Sequence, residues 1–407
     1  MSVDPRLVAY KSRMRRLTLW YGTAVVLVIA AVVAWVVVFL SDSEVAHAAL
    51  HTASTPAPDI SSAPTSASPR LAWTSDDELA IGEPFWQGTV ITFDQHTVTG
   101  RNGADGTATW TYTRSDLSIC EVAEEHGKTI AVFRRDHNCD EIDAFFTTTG
   151  KRAWSRTLDS DGQPTNGTPS FAVSENTLLL TTPQQVHAID PVGGLDRWNT
   201  LAPSGCTDVK AVLGDNGVLV TQNCRDGQYL LLRDPYAGDK DNDKPNPKLQ
   251  LWREKLAEDV VPVAAGAVIS AYEPSSGDLI IYSTTGSQSS RVPLSPRPGA
   301  SVVPNVTTTS GVDVVWMGGQ AYGLVQAGQS LAWRQALSGP PLVGSTATDL
   351  VAVDNSSVTV LDASTGAPGA SYPIRSTPAG SVAYYVGSGL LIGRGPTTAT
   401  TGVAMYR

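Results

Sequence analysis

A chain of 407 residues with 36 glycines, 26 prolines and a net charge of −10 is long for one ordinary domain, although all-β repeat folds of this size form single units. The acidic balance gives no footing for nucleic-acid binding, and four cysteines are too few to staple a small fold and too dispersed for a zinc ribbon. Valine and threonine recur among the glycines and prolines, which favours many short strands joined by turns. Arginine outnumbers lysine and alanine is abundant, as in bacteria with GC-rich DNA.

Residues 1–16 read as a basic cytoplasmic tail, with Lys11, Arg13, Arg15 and Arg16. Residues 17–40 are an almost unbroken apolar run, long enough for the ~20 residues that a helix needs to cross a bilayer core. Asp42 and Glu44 follow it, so the positive-inside rule places the amino terminus in the cytoplasm and the bulk of the chain outside. A cleaved signal peptide is the rival reading, because Ala46, His47 and Ala48 resemble a small-residue cleavage site. The apolar run is longer than the ~7–15 residues of a usual signal h-region, which favours an uncleaved anchor. Residues 41–69 are rich in Ser, Ala, Thr and Pro, with too little apolar surface to offset the entropy of ordering, and read as a disordered stalk.

From residue 70 to the end a unit recurs: three strands, a glycine turn, and a closing strand that carries tryptophan. The spacing from Trp110 to Trp154 and from Trp154 to Trp198 is 44 residues each time, and each tryptophan follows its glycine (Gly106, Gly150, Gly194) by about four. A period of this size is that of propeller blades. Later copies place Gly286 before Val292, Gly328 before Trp333 and Gly366 before Tyr372, while Trp252 ends a copy with an insertion at 239–248. Glycine supplies the positive φ of a tight hairpin, and the tryptophan can bury its ring against the neighbouring blade. The outer anchors are then Trp73, Trp110, Trp154, Trp198, Trp252, Val292, Trp333 and Tyr372.

The expected fold is an all-β propeller of about eight four-stranded blades over 70–407, preceded by one transmembrane helix. Seven blades is the alternative, because the copy at Val292 is degenerate. Residues 402–407 read as a third strand lacking a fourth, and Arg70, Leu71, Ala72 and Trp73 as a fourth lacking a third, so the two ends should close the ring.

The stretches Leu-Asp-Ala-Ser-Thr-Gly at 361–366 and Thr-Gly-Lys-Arg-Ala-Trp at 149–154 resemble the PQQ-like, or quinoprotein, propeller repeat, which also builds the BamB-type outer-membrane assembly lipoproteins. The chain resembles a membrane-anchored, actinobacterial-type member of that family. The resemblance covers nearly everything after the stalk and speaks to fold more than to function. It raises the question of a quinone enzyme. In such dehydrogenases adjacent cysteines form a disulfide against the cofactor, near a calcium ion and an aspartate base. No adjacent cysteines occur here, and the calcium ligands and base map onto no residues, so no cofactor is expected, neither PQQ nor calcium.

Cys120 lies ten residues after Trp110 and Cys206 eight after Trp198. Cys139 and Cys224 follow their partners at nearly equal intervals. This phase within the repeat predicts two equivalent disulfides, Cys120–Cys139 and Cys206–Cys224, each joining the first strand of a blade to the end of its second. Four free thiols is the alternative.

Asp239, Asp241 and Asp243 alternate as in a calcium loop, but Lys244 stands where the loop glycine belongs and Gln250 where its glutamate belongs, so a solvated insertion is the plainer reading. His96, His126, His137 and His187 are scattered without a metal or base–nucleophile spacing. Arg134 and Arg135 are candidates for a small cationic patch against an anionic head group, and Trp316, ending a second strand, for a ligand-facing aromatic; a solvated turn and core packing are the competing readings. With no reaction centre, the chain reads as a non-catalytic, membrane-anchored, extracytoplasmic binding or scaffold protein. By analogy with the BamB type, its partners would be envelope-assembly or lipid-export membrane proteins. The alternative function is binding of an envelope glycolipid or sugar, for example trehalose-linked mycolates beside a lipid exporter.

Overall fold

The computed structural model describes residues 20–21, 23, 25–29, 32, 44–60, 69–135, 138–158, 170–174, 177–237, 248–299, 304–327, 329–344, 346, 348–387, 389–393 and 402–407. It divides into a small unit, residues 1–49 with 113–116, and a large one, residues 50–112 with 117–407.

The large unit is an eight-bladed β-propeller. Blade 1 has an interrupted first strand (Glu78–Leu79 and Phe85–Trp86), then Thr89–Phe93, Thr97–Asn102 and Ala108–Arg114. Blade 2 comprises Ser118–Glu125, Lys128–Arg135, Asn138–Phe146 and Arg152–Thr157. Blade 3 runs Ser170–Ser174, Thr177–Thr181, Gln185–Ile189 and Asp196–Leu201, and blade 4 Cys206–Gly214, Gly217–Cys224, Gly227–Arg233 and Gln250–Lys255. Blade 5 holds Val261–Ala265, Ile269–Glu273, Asp278–Tyr282 and Gln288–Pro293; blade 6 holds Asn305–Thr309, Val312–Met317, Gln320–Val325 and Ser330–Ala336. Blade 7 is Leu342–Val343, Asp349–Asp354, Ser357–Asp362 and Pro368–Pro373. Blade 8 joins the chain ends: Val382–Val386, Gly389–Gly393 and Val403–Tyr406 are completed on the outside by Leu71–Ser75, antiparallel with Leu71 opposite Tyr406. The closure inferred from the repeat is therefore observed, and the alternative of seven blades is set aside.

All eight outer anchors lie on fourth strands. What the repeat spacing did not convey is how they lock the blades. The indole N–H of Trp73, Trp110, Trp154, Trp198 and Trp333 donates to a carbonyl in the next blade's third turn: Gly103, Thr147, Pro191, Asp234 and Ala363, at 2.7–3.0 Å. Under Trp73, Trp110, Trp154, Trp333 and also Trp252, a turn glycine of the next blade lies against the ring. A Cβ on Gly106, Gly150, Gly194, Gly286 or Gly366 would stand 2.5–2.8 Å from the tryptophan of the preceding blade. The glycine is thus required twice, for its φ of +68° to +89° and for close approach. Each buried indole removes on the order of 200 Å² from water, about 4–6 kcal/mol of transfer free energy before the entropy of ordering is subtracted.

Between these locks the alternating strands bury apolar faces against the adjacent blade. Val263, Tyr272 and Leu279 of blade 5 pack with Val315, Met317 and Leu324 of blade 6. Leu79 and Val90 of blade 1 pack with Leu391, Val403 and Met405 of blade 8. Blades 1 and 2 meet through an aromatic cluster in which the Tyr112 and Phe145 centroids are 4.6 Å apart.

One segment differs from expectation. Part of the presumed stalk is ordered: Glu44–His47 is helical, Ala48–His51 is a strand at the outer edge of the first sheet, and Ala57 and Ile60 are buried. In the small unit the Ser115 N–H donates to the His47 carbonyl, and in the large unit the Ala53 N–H donates to the Thr149 carbonyl. A few backbone bonds and apolar anchors outweigh the polar composition there. In the run 17–40 the described residues are helical with exposed apolar side chains, among them Trp20, Val25, Leu27 and Ile29. Among the described residues no helix is long and apolar enough to cross a membrane; the rest of that run lies outside them.

Candidate functional site

The first strands of successive blades lie side by side around a central channel. Blade 1 departs from this order. Its first strand pairs with Thr92 and Phe93 through Leu79 and Glu78, leaves the sheet, and rejoins it where Phe85 faces Val90. Between, Ile81 and Gly82 run parallel to the first strand of blade 2, opposite Ala123 and Glu124, as a fifth strand on its inner edge. The detour is pinned by three backbone bonds: Ala80 N–H to Ile91 O, Glu83 N–H to Glu124 O, and Ile91 N–H to Pro84 O. Gly82 has φ +82°, and a Cβ there would stand 2.4 Å from the Glu124 carbonyl oxygen, so only glycine fits. Nothing in the repeat pattern announces this strand, because it is two residues long and its partner lies some forty residues away in sequence.

The detour leaves a cavity of about 630 Å³ in the channel. Glu78, Glu83, Glu121, Phe85, Tyr384 and Tyr385 give it its chemical character. No lysine or arginine lines it among the described residues. The blade 6 hydroxyls at its wall are committed to the frame. Thr307 donates to the Pro341 carbonyl at 2.7 Å, and Thr308 to Asp313 at 2.6 Å. Asp313 in turn accepts from the Ala267 and Val268 N–H groups of blade 5. Burial raises the phenol of Tyr384, and the Glu121 carboxylate adds to the effect. Desolvation likewise raises Tyr385, helped by its hydrogen bond with Tyr372. Both phenols therefore stay neutral donors beside carboxylates. Such a lining suits a polyhydroxylated or cationic guest and repels an anionic one. A quinone cofactor bearing three carboxylates does not fit it.

Under the detour sits Glu124, fully buried. Its Oε1 accepts from the Gly127 N–H at 2.8 Å and the Thr147 hydroxyl at 3.1 Å. Desolvation, with Glu83 and Glu125 nearby, pushes its carboxyl up to about 8, so it is protonated at neutral pH. His187, in the third strand of blade 3, is buried in the opposite sense: desolvation lowers it to about 4 and keeps it neutral. Neither residue stood out in the sequence as a site, because burial created both.

The sequence candidates are dispersed. Cys120–Cys139 and Cys206–Cys224 are both disulfides, but they are not equivalent. Cys206 and Cys224 face each other across the first and second strands of blade 4. Cys139 instead begins the third strand of blade 2, opposite Arg134. The longer, bulged strands of that blade shift the phase by a few residues, so this bridge spans from first to third strand. Arg134 and Arg135 are exposed at the end of blade 2's second strand, where Arg135 pairs with Glu141. Trp316 is buried between blades 6 and 7, its N–H bonded to the Leu337 carbonyl at 3.0 Å, and offers no face to a ligand. Asp239, Asp241 and Asp243 lie outside the described residues, as does His137. Among the described residues no three His, Cys, Asp or Glu side chains gather as metal ligands.

Residues 63–240 match the family model described as outer membrane protein assembly factor BamB. The crystal structure of BamB from Moraxella catarrhalis superposes with a TM-score of 0.50 at 15% identity, over 83% of this chain and 97% of that one. The C-terminal WD40 domain of Sif2 gives 0.53 at 9% identity, over 83% and 98%. A quinohemoprotein alcohol dehydrogenase, ADHIIG from Pseudomonas putida HK5, gives 0.48 at 12% identity, over 86% and 78%. No curated protein matches the sequence. At these identities the likeness establishes the fold alone.

Proposed function

We propose that this chain is a non-catalytic scaffold of the cell envelope, anchored in the cytoplasmic membrane by residues 17–40 and acting outside it through protein–protein contacts of the propeller. The observation that carries the reading is the BamB-type repeat of residues 63–240, set in a ring whose blades are locked by indole–carbonyl bonds. A frame of that kind holds its turns in fixed positions as binding surfaces. The turns of blades 3 and 4 present exposed apolar side chains, Val192, Leu195 and Tyr236, with the Arg197 guanidinium over the Tyr236 ring. Two disulfides suit an oxidising, extracytoplasmic compartment. The exposed apolar helix within 17–40 supports anchoring. Photo-crosslinking amino acids at Leu195 and Tyr236, introduced in cells of the source organism, should trap defined membrane proteins of the envelope. Failure of every exposed turn to crosslink any protein would overturn the scaffold reading.

The channel cavity favours a second reading, in which the propeller holds a sugar or glycolipid head group against Tyr384, Tyr385 and the carboxylates. Native mass spectrometry of the protein extracted from its own membranes separates the two. A stoichiometric glycan-bearing mass supports the ligand reading, and a bare chain or a protein complex supports the scaffold.

A further inference from the structure

The two disulfides differ in their surroundings. Cys139 is buried among Ile130, Val132 and Ile142, and Cys120, half-buried, packs against the same core. Cys206 and Cys224 are both half-exposed at the end of the first hairpin of blade 4. There the Arg253 guanidinium comes within 3.7 Å of Cys224 Sγ through Nη2, which also donates to Gln222 Oε1 at 3.2 Å. Arg253 is held in place by the Tyr229 ring, whose centroid lies 3.7 Å from its Cζ. A second guanidinium lies beside the residue before Cys206: Arg225 Nε would be 3.2 Å from a Cβ on Gly205. Other charged groups at this end of the blade are Lys255, paired with Asp226 at 3.4 Å, and Asp208, which accepts from Gln222 at 2.7 Å and faces Arg233 at 3.9 Å.

We propose that Cys206–Cys224 is a thiol–disulfide exchange site for an external dithiol, whereas Cys120–Cys139 is a structural staple. Exposed disulfides are the exchangeable ones, and a cation beside the leaving sulfur stabilises the thiolate that departs. The dithiol's thiolate attacks Cys206 Sγ, the Sγ–Sγ bond breaks, and the electron pair leaves on Cys224 Sγ beside Arg253. The dithiol's second thiol gives its proton to water and displaces Cys206 from the mixed disulfide. The dithiol ends as a disulfide and both cysteines end reduced, a two-electron exchange in balance.

The test is a time course of the native full-length protein in dithiothreitol, quenched by alkylation and peptide-mapped. Cys206 and Cys224 should label at least tenfold faster than Cys120 and Cys139. A neighbouring cation lowers an acid by about 1–3 pH units, and thiol exchange follows thiol acidity with a coefficient of about 0.5, so Arg253→Gln should slow the opening on the order of threefold to thirtyfold. In the reduced wild-type protein Cys224 should alkylate with a midpoint below the usual ~8.5, moving upward in the variant. Equal opening rates for the two bridges, an unchanged rate in Arg253→Gln, or a wild-type midpoint at or above ~8.5 each overturns the proposal. The wild-type midpoint decides the matter even if the variant folds poorly.

Discussion

Replacing Glu124 by glutamine should make the propeller more stable at alkaline pH, an unusual outcome for a fully buried polar residue. Glu124 is raised to about 8, principally by burial, from an ordinary 4.5. Between those values the folded chain holds a proton that the unfolded chain has released. Fewer protons are then bound in the unfolded state, and stability falls as pH rises. Each pH unit costs about 1.4 kcal/mol, so the window from 4.5 to 8 removes roughly 5 kcal/mol. Glutamine has no proton to lose, and its amide oxygen can accept the same Gly127 N–H and Thr147 hydroxyl bonds that Oε1 accepts. Denaturant unfolding of wild type and Glu124→Gln at pH 5 and pH 9 measures the effect. The two should agree within about 1 kcal/mol at pH 5, and the variant should lead by several kcal/mol at pH 9. Parallel pH profiles for the two proteins would refute the reasoning, because they would mean that Glu124 is ionised in the folded ring.

His187 gives the mirror image: held down to about 4, it is neutral when folded while the unfolded chain takes a proton below its ordinary 6.5. Stability should be fully present above 6.5 and fall by roughly 3 kcal/mol as pH drops to 4, a loss absent in His187→Gln unfolding profiles. Trp110→Ala should cost about 3–5 kcal/mol in thermal or chemical unfolding, since it empties a 1%-exposed site and leaves the Thr147 carbonyl without its indole partner. Gly150→Ala should also destabilise measurably, because its Cβ would stand 2.6 Å from that ring. Removing the Cys120–Cys139 bridge as a double alanine variant should cost about 3 kcal/mol by denaturant midpoint, given its separation of 19 residues.

Much of the ring was legible because its strongest signal is periodic and chemically loud. A tryptophan on every fourth strand but two marks the blade boundaries, and Trp110, Trp154, Trp198 and Trp333 each come a few residues after a glycine. Val292 and Tyr372 could be placed only by phase. The closing blade was legible because its two halves looked incomplete at the ends of the repeat. The inner strand at Ile81 and Gly82 was not, since parallel pairing across blades leaves no local pattern. Cys139 was misplaced by one strand because the bulges at Val132/Phe133 and Phe133/Arg134 lengthen blade 2 beyond the average repeat. Ala57 and Ile60 were hidden by the polar residues around them. The raised Glu124 and lowered His187 depend on burial depth, which sequence spacing does not report.

The pairing of Leu71–Ser75 with Val403–Tyr406 also sets the order of events during synthesis. The chain makes one half of this seam before blades 1 to 7 and the other half after them. Until the final strand has emerged, the first propeller strand has no partner and the nascent ring is an open arc. That arc exposes strand edges and an unfilled face at Trp73 and Leu79, surfaces on which incomplete chains aggregate. Emergence of Val403–Tyr406 is therefore the committing step, and a chain halted just short of it should depend on holding chaperones while one that includes it does not.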